Sequence, residues 1–214
     1  MRVLEALGSG ISGVHVAPFE IEMPFVELAG RFAHRPGTVL LMSGTDLDCA
    51  RYHILGVNPR LTLRAWRQRV VVTVEEDHFE LPGNPFHILS DVARRLQLPP
   101  GKVRKRGDTN HPLPLVAGLL GYLSYDLKDA LETLPRTSVD DLKLPHLYMV
   151  APAILLIQDR KNRTAWQCIP ERPDADEAYS VSSLKEMFLV QSRESQPKGG
   201  FQGRSFPLPP LSRL

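Results

Sequence analysis

Apolar positions along this chain recur with two periods, and the switches between them mark out strands and helices. Residues 38–42 and 52–57 are apolar, partly β-branched runs of strand length. Between them, Ser43-Gly44-Thr45-Asp46 and Asp48 supply the short polar side chains and permissive glycine of a turn, so the pattern predicts a buried strand-turn-strand unit. Residues 14–22 suit an earlier strand. Residues 24–34 predict a helix, because Phe25, Leu28, Ala29 and Phe32 share one face, Pro24 sits in the first turn and Pro36-Gly37 ends it. Residues 61–66 alternate and residues 70–74 are β-branched, which predicts antiparallel strands with Asn58-Pro59 as one of the turns and Trp66 on a packed face.

The helical period returns at 84–96, with Asn84 as cap, Pro85 at the first position and Phe86, Leu89, Val92, Ala93 and Leu96 on one face; Pro99-Pro100-Gly101 closes it. Residues 102–106 read as a basic loop. In 111–126, Gly118 and Gly121 interrupt an apolar strand pattern, as happens where another backbone approaches closely. Asp126 is expected to cap a helix through Leu134, stopped by Pro135. Residues 148–157 and 164–169 predict a hairpin with a polar tip at 159–163, and 176–191 a last helix with Val181, Leu184, Met187 and Phe188 on one face. These elements describe an α+β fold, a mainly antiparallel sheet packed with helices. Residues 1–191 form its domain, and the Gly/Pro/Ser-rich residues 192–214 are a linker or disordered tail.

Composition narrows the function classes. With 26 basic and 24 acidic residues the net charge is +2, and the run at 102–106 contains no aromatic residue, so no nucleic-acid or anionic-membrane partner is expected. Cys49 and Cys168 lie far apart without ligand-spaced companions; this excludes a disulfide framework and a zinc site and suits buried thiols in a reducing compartment. The apolar runs at 149–157 and 70–74 fall short of the roughly 20 residues a membrane helix needs, and the amino terminus lacks a signal-peptide pattern, so the expected compartment is the cytoplasm. The glycines at 118 and 121 lack the Lys-Ser or Lys-Thr pair of a phosphate loop. Asp46 and Asp48 are the nearest approach to paired carboxylates, and neither has the companions of a hydrolytic site; no catalytic residue is assigned. Ser43 and Arg51 could line a small polar pocket, or Ser43 could satisfy the turn and Arg51 be a solvated edge charge.

Four stretches carry a resemblance. They are Leu40-Leu41-Met42-Ser43-Gly44; Ala50-Arg51-Tyr52-His53-Ile54-Leu55-Gly56-Val57-Asn58-Pro59; Gly118-Leu119-Leu120-Gly121-Tyr122-Leu123-Ser124-Tyr125-Asp126 with Leu131-Glu132-Thr133-Leu134-Pro135; and Leu144-Pro145. Over residues 20–169 the chain resembles the amino-terminal region of component I of the chorismate-utilising enzymes, 4-amino-4-deoxychorismate synthase and anthranilate synthase. The wording is more similar to the aminodeoxychorismate enzyme of para-aminobenzoate and folate biosynthesis.

The resemblance implies the N-terminal part of an α/β/β/α sandwich. It also implies a structural or regulatory half that lacks the chorismate-binding catalytic domain, because the family's Pro-Ile-Lys-Gly-Thr, Asp-Leu-x-Arg-Asn-Asp and Gly-Ser-Ile-Thr-Gly-Ala-Pro-Lys stretches are absent from the 214 residues. No cofactor is expected in this chain; magnesium would belong to the missing half, and the chain alone is expected to be inactive. Its implied partners are that catalytic half and a glutamine amidotransferase subunit. The family's tryptophan pocket maps onto Ser43, Cys49, Ala50, Arg51 and Tyr52 as a partial site, although the turn is shorter here than in tryptophan-retaining versions. The alternatives are a non-catalytic split-gene subunit or tryptophan-binding regulatory module, or the equivalent part of anthranilate synthase. Lacking the partner layer, the chain is expected to expose an apolar patch.

Overall fold

The computed structural model describes residues 10–44, 50–67, 69–105, 113–132, 142–173 and 181–193. Two long strands form its axis. Strand β8 (Leu147–Asp159) contains the longest continuously apolar stretch, and residues 150–157 are all buried, as a strand covered on both faces requires. Strand β3 (Tyr52–Trp66) runs antiparallel to it from the Tyr52–Asp159 pair to the Ala65–Leu147 pair. Each long strand shares its second edge between two shorter ones. Beside β3 lie β2 (Val39–Met42) and β4 (Arg69–Val74); beside β8 lie β9 (Thr164–Glu171) and β7 (Leu120–Leu123). Strand β5 (Asp77–Pro82) extends from β4, β1 (Gly13–Pro18) pairs with β9, and β6 (Val103–Lys105) runs parallel to β1. Among the described residues this makes one mixed, nine-stranded sheet.

Both faces of the long central strands are covered, and a bulge decides which residues meet which cover. Side chains alternate along a strand, so one extra residue moves every later side chain to the other face. The β3–β8 register shifts between Pro59 and Leu61, next to Asn58 at φ 53°, a left-handed conformation that asparagine tolerates better than most residues. Pro59 also faces Pro152, so neither side can donate a ladder hydrogen bond at that point. Before the bulge, Leu55 and Val57 pack with helix α1 (Phe25–Gly30) and with Phe188 of helix α3 (Val181–Arg193). Beyond it, Leu61, Leu63 and Ala65 pack beneath helix α2 (Pro85–Arg95). A third cluster, around Val16, Leu155, Ile157 and Trp166, lies under residues 113–117, and Leu96 packs against it as well as against the α2 cluster.

The α+β expectation holds, as do the paired strands at 39–42 and 52–57, the β8–β9 hairpin and the Asn84 cap, whose Oδ1 accepts the Phe86 N–H at 2.8 Å. Gly121 is a site of close backbone approach, since a Cβ built there would run into the Tyr148 carbonyl oxygen. Other expectations are corrected. Asn58-Pro59 is the bulge inside one continuous strand, because the long partner β8 keeps β3 paired on both sides of it. The basic stretch supplies strand β6, where Arg104 reaches Glu171 at 3.2 Å; Arg106 lies outside the described residues. Ser124 holds the N-cap position of a 3-10 helix (Tyr125–Ala130), and Asp126 lies in its first turn, where it meets Lys128 at 3.2 Å. Strand β2 is not buried: Leu40, Leu41 and Met42 are 36%, 40% and 48% exposed, because β2 is a four-residue strand paired with β3 at the rim of the helical cover. Strand β5 was not expected, although His78-Phe79-Glu80-Leu81 alternates. Thr45, Asp46, Asp48 and Cys49, the expected helix stop at Leu134 and Pro135, the first residues of the last helix, and residues 194–214 lie outside the described residues.

Candidate functional site

The β2–β3 hairpin and the tip of the β8–β9 hairpin meet at one end of the sheet, because Tyr52 and Asp159 are directly opposed in the β3–β8 ladder. Ser43 leaves β2 there, and its hydroxyl donates to the Tyr52 carbonyl at 2.7 Å while its N–H donates to His53 Nδ1 at 3.2 Å. Arg51 enters β3 opposite. Its Nε and Nη2 donate to Asp159 Oδ2 at 3.0 and 2.7 Å, and its guanidinium carbon lies 4.9 Å from the centre of the Tyr52 ring. Arg51 is therefore not a solvated edge charge: its side chain is 35% exposed and its carboxylate partner 1%.

Asp159 is anchored from every side. Its Oδ1 accepts the N–H groups of Lys161 and Asn162 at 3.0 and 3.2 Å, and Asn162 Nδ2 donates to Oδ2 at 3.0 Å. Burial alone would raise its pKa, yet the Arg51 hydrogen bonds and the two backbone N–H groups outweigh that and hold it below the usual carboxylate value. Hydrogen bonding to Asp159 raises Arg51 correspondingly. Arg160 follows, and both N–H bonds of its Nη1 are spent on main-chain carbonyls, Gly44 at 2.9 Å and Ala50 at 3.2 Å, while its backbone N–H donates to the Arg51 carbonyl at 2.9 Å. His53 is largely buried against Phe25, and burial, with the Arg160 cation second, lowers its pKa. At neutral pH the site holds two cations, one carboxylate committed to one of them, and a neutral imidazole.

The structure thus brings Ser43, Ala50, Arg51 and Tyr52 together, and Cys49 lies outside the described residues. Sequence inspection missed Asp159 and Arg160. The only local signal was an Asp three residues before an Asn in a hairpin tip, and the Arg51 partnership spans 108 positions. Chemically the arrangement suits recognition of a carboxylate. The Ser43 hydroxyl donates to a backbone carbonyl, so nothing activates it as a nucleophile. Burial pushes the Cys168 thiol up to about 12, which leaves it unreactive. Among the described residues no group of three or more His, Cys, Asp or Glu could hold a metal ion, and no helix is long and apolar enough to cross a membrane.

No family profile matches the chain. Aminodeoxychorismate synthase component 1 of Escherichia coli strain K12 is 30% identical over 135 residues, which is 63% of this chain and 28% of that protein. The protein of the same name from Bacillus subtilis strain 168 is 25% identical over 156 residues, covering 69% of this chain and 31% of its own length. Anthranilate synthase component 1 of Thermus thermophilus is 28% identical over 184 residues, 86% of this chain and 36% of that protein. The chain thus spans about a third of the length of these curated relatives. Among solved structures, anthranilate synthase component I from Streptococcus pneumoniae TIGR4 superposes with a TM-score of 0.50 at 18% identity, covering 76% of this chain and 33% of that one, a likeness of fold.

Proposed function

This chain is a relative of component 1 of the aminodeoxychorismate and anthranilate synthases, the chorismate-utilising family, and from that kinship we propose that it is a supporting half of an aminodeoxychorismate synthase component 1. It would serve amination of chorismate in para-aminobenzoate and folate synthesis, in the cytoplasm, without performing the chemistry itself. One observation carries the proposal. Among the described residues, the polar centre is a committed ion pair rather than a group poised to react.

Within this reading the Ser43 and Arg51 cluster is part of a tryptophan site formed with Cys49, Ala50 and Tyr52. The Arg51 guanidinium, held by Asp159 through Nε and Nη2, would take the ligand carboxylate through Nη1, and Ile54 and Leu41, in register on one face, would take the ring. In this reading magnesium belongs to the catalytic polypeptide, and no residue of this chain is assigned to it. The exposed Leu40, Leu41 and Met42 on β2, and Tyr122, Leu123 and Tyr125 at β7, support docking of a catalytic polypeptide; a glutamine amidotransferase subunit would supply ammonia. Co-purification of the tagged chain from its native source tests this. A partner carrying the family's catalytic stretches is expected, and recovery of the chain alone under gentle conditions would count against it.

A second reading, a split-gene regulatory module that senses an amino acid, is favoured by the clustering of Ser43, Arg51 and Asp159 within this one chain. Calorimetry with millimolar tryptophan tests that version, and absence of heat removes it. The match over 86% of the chain to the Thermus protein supports the corresponding part of an anthranilate synthase in the same terms.

A further inference from the structure

We propose that Asp159 and Arg160, at the tip of the β8–β9 hairpin, are positioning residues that shape the mouth of the amino-acid site from outside it. The inference rests on the reading of Ser43 and Arg51 as ligand-facing groups. Last in the β2–β3 ladder is the Met42–His53 pair, so the carbonyls of Gly44 and Ala50 lie beyond the reach of the sheet. They are held instead by a single guanidinium nitrogen from a hairpin more than a hundred residues away, at 2.9 and 3.2 Å. A cationic donor makes these bonds stronger than neutral ones, and one planar group fixes the separation of both loop ends at once.

The neighbouring side chain performs the complementary task. Asp159 orients Arg51 through Nε and Nη2, so the guanidinium cannot rotate freely and presents its remaining edge in one direction. The tip that carries both residues is stiffened locally by the two N–H bonds to Asp159 Oδ1 and by the Asn162 side chain. Two adjacent residues thus hold the exit of one strand, the entrance of the next and the cation between them. Such pre-organisation lowers the ordering cost when a ligand binds. Arg163 on the same hairpin is exposed, and among the described residues no hydrogen bond or ion pair engages it, which makes it the internal control.

Hydrogen exchange and tryptophan calorimetry on the full chain, in wild type, Arg160→Ala, Arg160→Lys and Arg163→Ala, test the proposal. In Arg160→Ala, peptides covering residues 38–52 should exchange about tenfold faster and tryptophan should bind about tenfold more weakly, while α2 peptides keep wild-type protection. Arg160→Lys should restore part of both effects, and Arg163→Ala should cause neither. Wild-type exchange at 38–52 in Arg160→Ala would overturn the proposal, as would equal acceleration in Arg163→Ala. If wild type shows no tryptophan heat while the exchange pattern holds, the positioning role stands and the ligand reading falls.

Discussion

At the scale of single residues, the site depends on protonation states that its surroundings impose. His53 accepts the Ser43 N–H at Nδ1, which requires a lone pair there, and burial and the Arg160 cation lower its pKa. A folded-state pKa below the unfolded value of about 6.5 means that the neutral ring stabilises the fold fully above that pH and that this contribution is lost as pH falls through the lower folded value. Urea midpoints should therefore fall between pH 7.5 and pH 5 in wild type, and His53→Gln should remove part of that dependence; an identical slope in both proteins would contradict the assignment. Asp159 acts in a lower window, since its depressed pKa gives stability that is present above the unfolded carboxylate value and lost in stronger acid. Gly121→Ala tests packing together with backbone strain, since Gly121 sits at φ 156°. Its Cβ would collide with the Tyr148 carbonyl oxygen on the neighbouring strand, and we expect a loss of about 2 kcal/mol in urea unfolding. A wild-type midpoint would show that the two strands can separate without cost.

At the scale of elements, the parts with local causes were legible. Helix α2 declares itself through Asn84, Pro85 and a periodic face. Asn84→Ala should cost about 1 kcal/mol by losing the bond to Phe86 N, together with the Asn84 Nδ2 bond to the Ala130 carbonyl that ties α2 to the 3-10 helix. Unchanged stability in that variant would mean the cap contributes nothing. The elements that were misread have non-local causes. Asn58-Pro59 has the composition of a turn whether or not the chain reverses, and only pairing with β8, some ninety positions later, makes it a bulge that exchanges the faces of β3. Asn58→Gly keeps access to the φ of 53° and should be tolerated within about 0.5 kcal/mol, whereas Asn58→Val should be markedly destabilised. For the same reason the committed pair of Arg51 and Asp159 was invisible, while Ser43 and Arg51 themselves stood out as polar residues bracketing a turn between apolar runs.

At the scale of the whole molecule, apolar periodicity identified strands without saying what would cover them. Residues 39–42 pair with β3 as their composition demands, yet three of the four side chains remain exposed, as do Tyr122, Leu123 and Tyr125 at β7. Leu41→Lys with Leu123→Lys should leave the unfolding midpoint within about 0.5 kcal/mol, because both side chains are already solvated, but should reduce dye binding and concentration-dependent association. Retained association would move the sticky surface elsewhere. The sharpest check on the account is an amination assay of the purified chain alone with chorismate, magnesium and ammonia. A supporting half yields no aminated product above the protein-free control, and sustained turnover by this chain would contradict the central claim.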